Sequence, residues 1–134
     1  MYHANNTIIQ RADVLRLLVM QEYGGIYMDF DVQVNDWNYL KILRCENYTF
    51  FCEEQIALIY ERLYKVGNWM ICSGKNTPEL KRLIEGIKPM HANPSVKEIL
   101  DYAGPGYLVN QKAPYMIVYP NIKHCYQNNW TNKR

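Results

Sequence analysis

The chain has 134 residues, a formal net charge of +2 and 21% charged residues, with its lysines and arginines scattered along its length. This composition suits one globular domain with a real core; it excludes a disordered chain and shows no basic footprint for nucleic acid. No run is long and apolar enough to span a membrane, since the most apolar one, Val14 to Met20, is interrupted by Arg16. The polar start MYHANNTIIQ does not read as a signal peptide. Cys45, Cys52, Cys72 and Cys125 form neither a CxxC pair nor a zinc spacing, so we expect buried free thiols in a reducing compartment. A cytoplasmic location is expected on these grounds, with a peripheral place at a membrane as the alternative. N-x-T sequons at Asn5, Asn47 and Asn129 carry little weight in so Asn-rich a chain.

In chain order, Ile8 to Tyr23 reads as one helix, with Asn6 or Thr7 as N-cap and Gly24 just past its end. On a helical wheel Leu15, Val19, Ala12, Ile9, Met20 and Leu17 cover one broad arc, which predicts the core face. Gln10, Gln21, Arg11 and Glu22 mark a more polar arc. Ile26 to Val32 reads as a strand, and Asn38 to Leu43 as a helical turn. Tyr48 to Cys52 and Asn68 to Ser73 read as further strands, while the period of IALIYERLYKV between them is undecided. Thr77-Pro78-Glu79 opens a helix that runs to about Ile87. A second short helix starts near Asn93-Pro94-Ser95 and stops before Gly104. Tyr115 to Tyr119 is a last strand, ended by Pro120. Helices alternating with strands predict an α/β or α+β sheet domain.

The strand YGGIYMDFDV carries two carboxylates that a packed core does not want. Alternation puts Ile26, Met28, Phe30 and Val32 on one face and Tyr27, Asp29 and Asp31 on the other. The two aspartate Cα atoms would then be roughly 6–7 Å apart, close enough to serve one ligand. A hard divalent cation suits them, because Mg²⁺ and Mn²⁺ prefer carboxylate and phosphate oxygens. The plainer alternative is a strand end whose acids face water. Asp13 and Arg16, spaced i, i+3, fall inside the apolar arc of the preceding helix and can touch each other. Charges among apolar neighbours are costly unless paired or used. They are therefore either an ion pair that fixes the helix or a polar notch beside the acidic strand, reached through the tight Gly24-Gly25 turn.

The stretch ADVLRLLVMQEYGGIYMDFDV, residues 12–32, closely resembles a sugar-transferase signature: S/A-D-x-x-R, a spacer, then Y-G-G-I-Y-L-D-x-D. That signature belongs to the glycosyltransferases with a DXD sugar-binding motif. They include yeast-type α-1,6-mannosyltransferases, capsular-polysaccharide transferases and the clostridial glucosylating toxins. The resemblance implies a GT-A-like α/β fold and a metal-dependent hexosyltransferase, with Asp29 and Asp31 as catalytic residues. Asp31 would ligate Mn²⁺ or Mg²⁺, and Asp29 would contact the donor sugar or ribose and reach the metal through water. Asp13 and Arg16 would hold hydroxyls of the transferred sugar, and Tyr27 would line the donor pocket. The donor would be a nucleoside-diphosphate sugar, the acceptor a glycan or lipid-linked sugar, and the anomeric configuration would be retained.

Downstream, VGNWMICSGKNTPELKRLIEGI with Asn68, and AGPGYLV with Gly104 and Pro105, look like later elements of the family. YPNIKHCYQNNW is similar to its closing element, giving His124 as a phosphate or metal contact and Trp130, with Asn129 where a serine is usual. The resemblance also implies that residues 1–134 are a single catalytic domain lacking the family's N-terminal βαβ portion, which carries much of the nucleobase pocket. A fragment, a reduced protein or a second chain supplying the missing part would each account for this. One rival is a non-catalytic module that binds a sugar nucleotide or a partner. Another is a haloacid-dehalogenase-type phosphatase with Asp29 as nucleophile and Asp31 as acid/base, but after Asp36 only Asp101 remains as a further aspartate for its metal.

Overall fold

The computed structural model describes residues 7–54, 58–59, 62–63, 65–89 and 93–125. Helix α1 (Ile8–Tyr23) begins at Thr7, whose hydroxyl accepts from the Gln10 N–H while the Gln10 side chain accepts from the Thr7 N–H. This reciprocal cap satisfies two donors that the first turn leaves open. The helix ends at Gly24, with φ 65 and ψ −166, a backbone region essentially confined to glycine. A Cβ there would also sit 3.1 Å from the Ser73 carbonyl oxygen and the Lys75 nitrogen. The chain turns back at once into β1 (Gly25–Met28).

The strand expected over 26–32 is shorter than the sequence predicts. It ends at Met28. Asp29, Phe30 and Asp31 form a tight turn, in which the Val32 N–H donates to the Asp29 carbonyl at 3.3 Å. Strand β2 (Val32–Val34) then belongs to another sheet. The expected shared face of Ile26, Met28, Phe30 and Val32 is thereby broken, and Phe30 stands fully in solvent at the tip. The Asp29 carboxylate meets Tyr27 of β1 and Arg16 of α1, and the Asp31 carboxylate meets His124 near the end of the chain.

After β2 come α2 (Trp37–Ile42), β3 (Thr49–Glu53) and a short hairpin of β4 (Leu58–Ile59) and β5 (Arg62–Leu63). The long strand β6 (Val66–Ser73) follows, then α3 (Pro78–Glu85), α4 (Val96–Ala103) and α5 (Pro105–Asn110). The described chain closes with β7 (Tyr115–Met116) and β8 (Ile122–His124). Within the undecided run, residues 58–59 and 62–63 form this hairpin and Val66 opens the next strand. The strand expected over 115–119 is only the two residues of β7, and the Val118 and Tyr119 N–H groups donate instead to Glu53 Oε1 at 3.1 and 2.9 Å.

The main sheet is mixed, in the order β1-β6-β3-β7. Strands β1 and β3 run antiparallel to β6, and β7 runs parallel to β3. A second ladder pairs β2 with β8, setting Val32 opposite His124. Helices α1, α3, α4 and α5 contribute to a core with Phe51 and Ile71 on one side of the main sheet. On the other side Trp69, Met70, Val118 and Ile122 pack with Tyr39 and Leu40 of α2.

Helix α1 presents a different face from the one its wheel predicts. Gln10, Asp13, Val14, Leu17 and Met20 are buried, whereas Ile8, Leu15, Val19 and Tyr23 are 83%, 52%, 40% and 70% exposed. Apolar residues occur nearly all round this helix, so hydrophobic periodicity could not choose a side. Partners chose it: the buried Gln10 closes the N-cap, and the buried Asp13 is held from β6. Cys52 and Cys72 are buried as expected, while Cys45 and Cys125 are only half-buried, and all four are free thiols.

Candidate functional site

Three elements converge on the acidic turn. From α1, Asp13 is 5% exposed and accepts from Asn68 Nδ2 at 2.9 Å. One turn on, Arg16 donates from Nη1 to the Asn68 carbonyl at 2.7 Å and lies 3.4 Å from Asp13 Oδ1. The same guanidinium lies 3.6 Å from Asp29 Oδ1 and 5.1 Å from the centre of the Tyr27 ring. The Tyr27 hydroxyl donates to Asp29 Oδ1 at 2.5 Å. Asp13, Arg16, Tyr27 and Asp29 thus form one network, with Asn68 as its anchor in the sheet.

Burial pushes the Asp13 carboxyl up to about 6, against the pull of the Arg16 guanidinium and the Asn68 amide; the charge of Asp29 adds to the rise. Burial likewise lifts the Tyr27 phenol to about 12, so at neutral pH it stays a donor to Asp29.

Asp31 is placed by the second ladder. Its carbonyl accepts from the Cys125 N–H at 2.8 Å, and its Oδ1 lies 3.1 Å from His124 Nε2. The imidazole is stacked on the Trp69 indole, with ring centres 5.2 Å apart and planes 8° from parallel. Asp29, Asp31 and His124 each offer a ligand atom within 4.8 Å of the other two. All three are half-buried. Two carboxylates and an imidazole that converge in this way fit a divalent cation such as Mn²⁺ or Mg²⁺.

Beside this cluster lies a cavity of about 280 Å³. Asp13, Arg16, Asp29 and Asn68 border it, and so do Glu54, Trp69 and His124; Ile9, Leu100 and Pro105 add apolar wall. Asn68 and Trp69 are neighbours in sequence, and a regular strand would send them to opposite faces. Both reach the cavity because the β3–β6 register shifts here: Phe50 pairs with Cys72, but Cys52 pairs with Gly67. A bulge of this kind re-aims side chains. A larger cavity of about 540 Å³ lies around Gly24, Gly25 and Cys72 and includes neither aspartate of the acidic turn.

The structure therefore gathers Asp13, Arg16, Tyr27, Asp29, Asp31 and His124 into one region. Tyr27 does not border the cavity itself; it underlies Arg16 and holds Asp29. Trp130, Asn5 and Asn129 lie outside the described residues. Glu54 and Trp69 were not legible as site residues. Their only signal is an acidic pair at the end of an apolar strand and one tryptophan in the next.

Fold and site together define a mixed α/β domain with a carboxylate-rich cavity beside Asp29, Asp31 and His124, a trio that could hold a cation. Residues 1–49 match the family model described as a glycosyltransferase sugar-binding region containing a DXD motif. The matched stretch carries Asp13, Arg16, Tyr27, Asp29 and Asp31. A comparison with curated proteins gave no match. Among the described residues no helix is long and apolar enough to cross a membrane.

Proposed function

We propose that this chain is the metal- and sugar-binding part of a glycosyltransferase that moves a sugar from a nucleoside-diphosphate donor to a hydroxyl of a glycan or lipid-linked acceptor. One observation carries the reading: Asp13, Arg16 and Asp29 meet at a cavity that also borders His124, a member of the cation cluster. The family match over residues 1–49 supports the same class.

In this reading Asp29, Asp31 and His124 hold Mn²⁺ or Mg²⁺. When bound there, the cation supplies positive charge to the donor's diphosphate and offsets the charge that develops on the leaving group. Asp13, ionised at neutral pH, accepts from hydroxyls of the transferred sugar, and Arg16 donates to them. Asn68 fixes the Asp13 carboxylate through its amide. The Tyr27 phenol keeps its proton and fixes the Asp29 carboxylate. Trp69 lies flat against His124 and keeps the imidazole aimed at Asp31. The resemblance of residues 12–32 supports retention of the anomeric configuration.

Thermal-shift screening with Mn²⁺ tests the reading, because a ligand that binds only the native state raises its stability. UDP-glucose, GDP-mannose or a related sugar nucleotide should raise the melting temperature of the wild type and not that of Asp31→Ala. If no sugar nucleotide shifts the wild type or is consumed by it, the proposal fails. Binding without hydrolysis or transfer would assign the chain as a binding module instead.

A further inference from the structure

We infer that Glu54 and the indole N–H of Trp69 form an additional subsite in the 280 Å³ cavity, which grips a sugar hydroxyl apart from Asp13, Arg16 and Asp29. The inference rests on the sugar-binding reading above. Trp69 is 2% exposed, yet its Nε1 has no hydrogen-bond partner among the described residues. A buried N–H without an acceptor is rare in a native fold. Trp69 itself borders the cavity, so a ligand that enters can bring the missing acceptor.

The acceptor's neighbour is Glu54. It follows β3 and is held by its own N–H, which donates to the Lys65 carbonyl at 2.9 Å. Trp69 Nε1 and Glu54 Oε2 lie 2.7 and 3.2 Å from the point where a Cβ on residue 67 would be. Glycine at 67 keeps that spot clear, so the indole can lie across it and the two polar atoms share one small space.

The pairing selects the ligand's chemistry. A carboxylate beside an N–H repels a phosphate or a carboxylate, and the N–H is no use to a cation. A hydroxyl matches both, since it accepts from the indole and donates to Glu54. Donor sugar and acceptor sugar offer this same group, and the experiment separates them.

Binding is measured by calorimetry on the whole chain with saturating Mn²⁺. The probes are UDP, GDP, UDP-glucose, GDP-mannose, methyl α-glucoside and methyl α-mannoside. Glu54→Gln should weaken a sugar-bearing probe by roughly tenfold or more, while affinity for UDP or GDP stays within about twofold; Trp69→Phe should weaken the same sugar-bearing probes. A loss confined to the sugar nucleotides places the donor sugar in the subsite, and a loss confined to the methyl glycosides places the acceptor there. Gly67→Ala, which sets a methyl group against the indole, should act like Trp69→Phe, and thermal melts identify any variant that fails to fold. If wild type and Glu54→Gln bind every sugar probe equally, the subsite is overturned and the sugar-binding reading stands. If the wild type binds UDP or GDP but gains nothing from an attached sugar and ignores the glycosides, the subsite is likewise overturned. If no probe binds, both the subsite and the reading fall.

Discussion

Asp13 on α1 accepts a hydrogen bond at 2.9 Å from Asn68 on β6, a residue 55 positions further along the chain. The contact is buried, and it orients a carboxylate that also meets Arg16. It joins the helix that carries the first charged residues to the strand that carries the cavity floor.

Burial raises the folded-state value of Asp13 from 3.8 to about 6. The native state then holds this proton more tightly than the unfolded chain does. The resulting stability is present in full below the unfolded value and is lost as pH rises through the folded one. Two pKa units correspond to about 3 kcal/mol. Asp13→Asn removes the dependence, so wild type should lose stability relative to the variant between pH 4 and 7 in denaturant melts. Parallel pH profiles would contradict the assignment.

Removing the Asn68 amide should be felt twice. Asn68→Ala leaves Asp13 without its sheet-side donor and should destabilise the fold by about 1–3 kcal/mol. Urea titration gives the magnitude. Sugar-nucleotide affinity should fall in the same variant, with Mn²⁺ affinity preserved.

In the proposed function, the residues that would hold the cation are separable from those that would hold the sugar. Asp31→Ala and His124→Ala should each weaken Mn²⁺ binding, read by the loss of free-ion paramagnetic signal on titration. Arg16→Ala should leave Mn²⁺ binding intact and weaken the sugar nucleotide. Equal Mn²⁺ affinity in wild type and Asp31→Ala would remove the metal assignment.

The two faces of α1 should respond oppositely to substitution. Leu17→Ala, at a fully buried position, should cost about 2–5 kcal/mol. Leu15→Glu, on the outward face, should change the stability of the isolated chain by no more than about 0.5 kcal/mol. The wheel alone predicts a large loss for both.

Gly24→Ala should destabilise by about 1–3 kcal/mol, since φ 65 with ψ −166 is foreign to any residue with a Cβ and the added carbon meets the backbone of Ser73 and Lys75. Gly25, although its φ is 96, has open space around its missing Cβ, so the steric part of the effect is absent there.

Where the chain decides its own conformation, local signals and structure agree. Helix α1 spans Ile8 to Tyr23 as its caps predict, and α3 and α4 start at Thr77 and Ser95, whose hydroxyls cap them. Strand ends were harder. The stretch 26–32 has the alternation of one strand, but its carboxylates bend the chain toward Arg16 and His124, and neither partner is near in sequence.

The sequence by itself determined the helix caps, the Gly24 turn and the chemical set Asp13, Arg16, Asp29 and Asp31 at a spacing that pairs them along α1 and across one turn. Those are short-range properties, set by backbone preference and by which side chains can touch within a few residues. Only the tertiary structure decided which face of α1 is buried, that Asn68 and Trp69 both open onto the cavity through a bulge, and that His124 and Glu54 stand beside the aspartates. Each of these depends on a partner brought from a distant part of the chain, and periodicity along a single element carries no information about that partner.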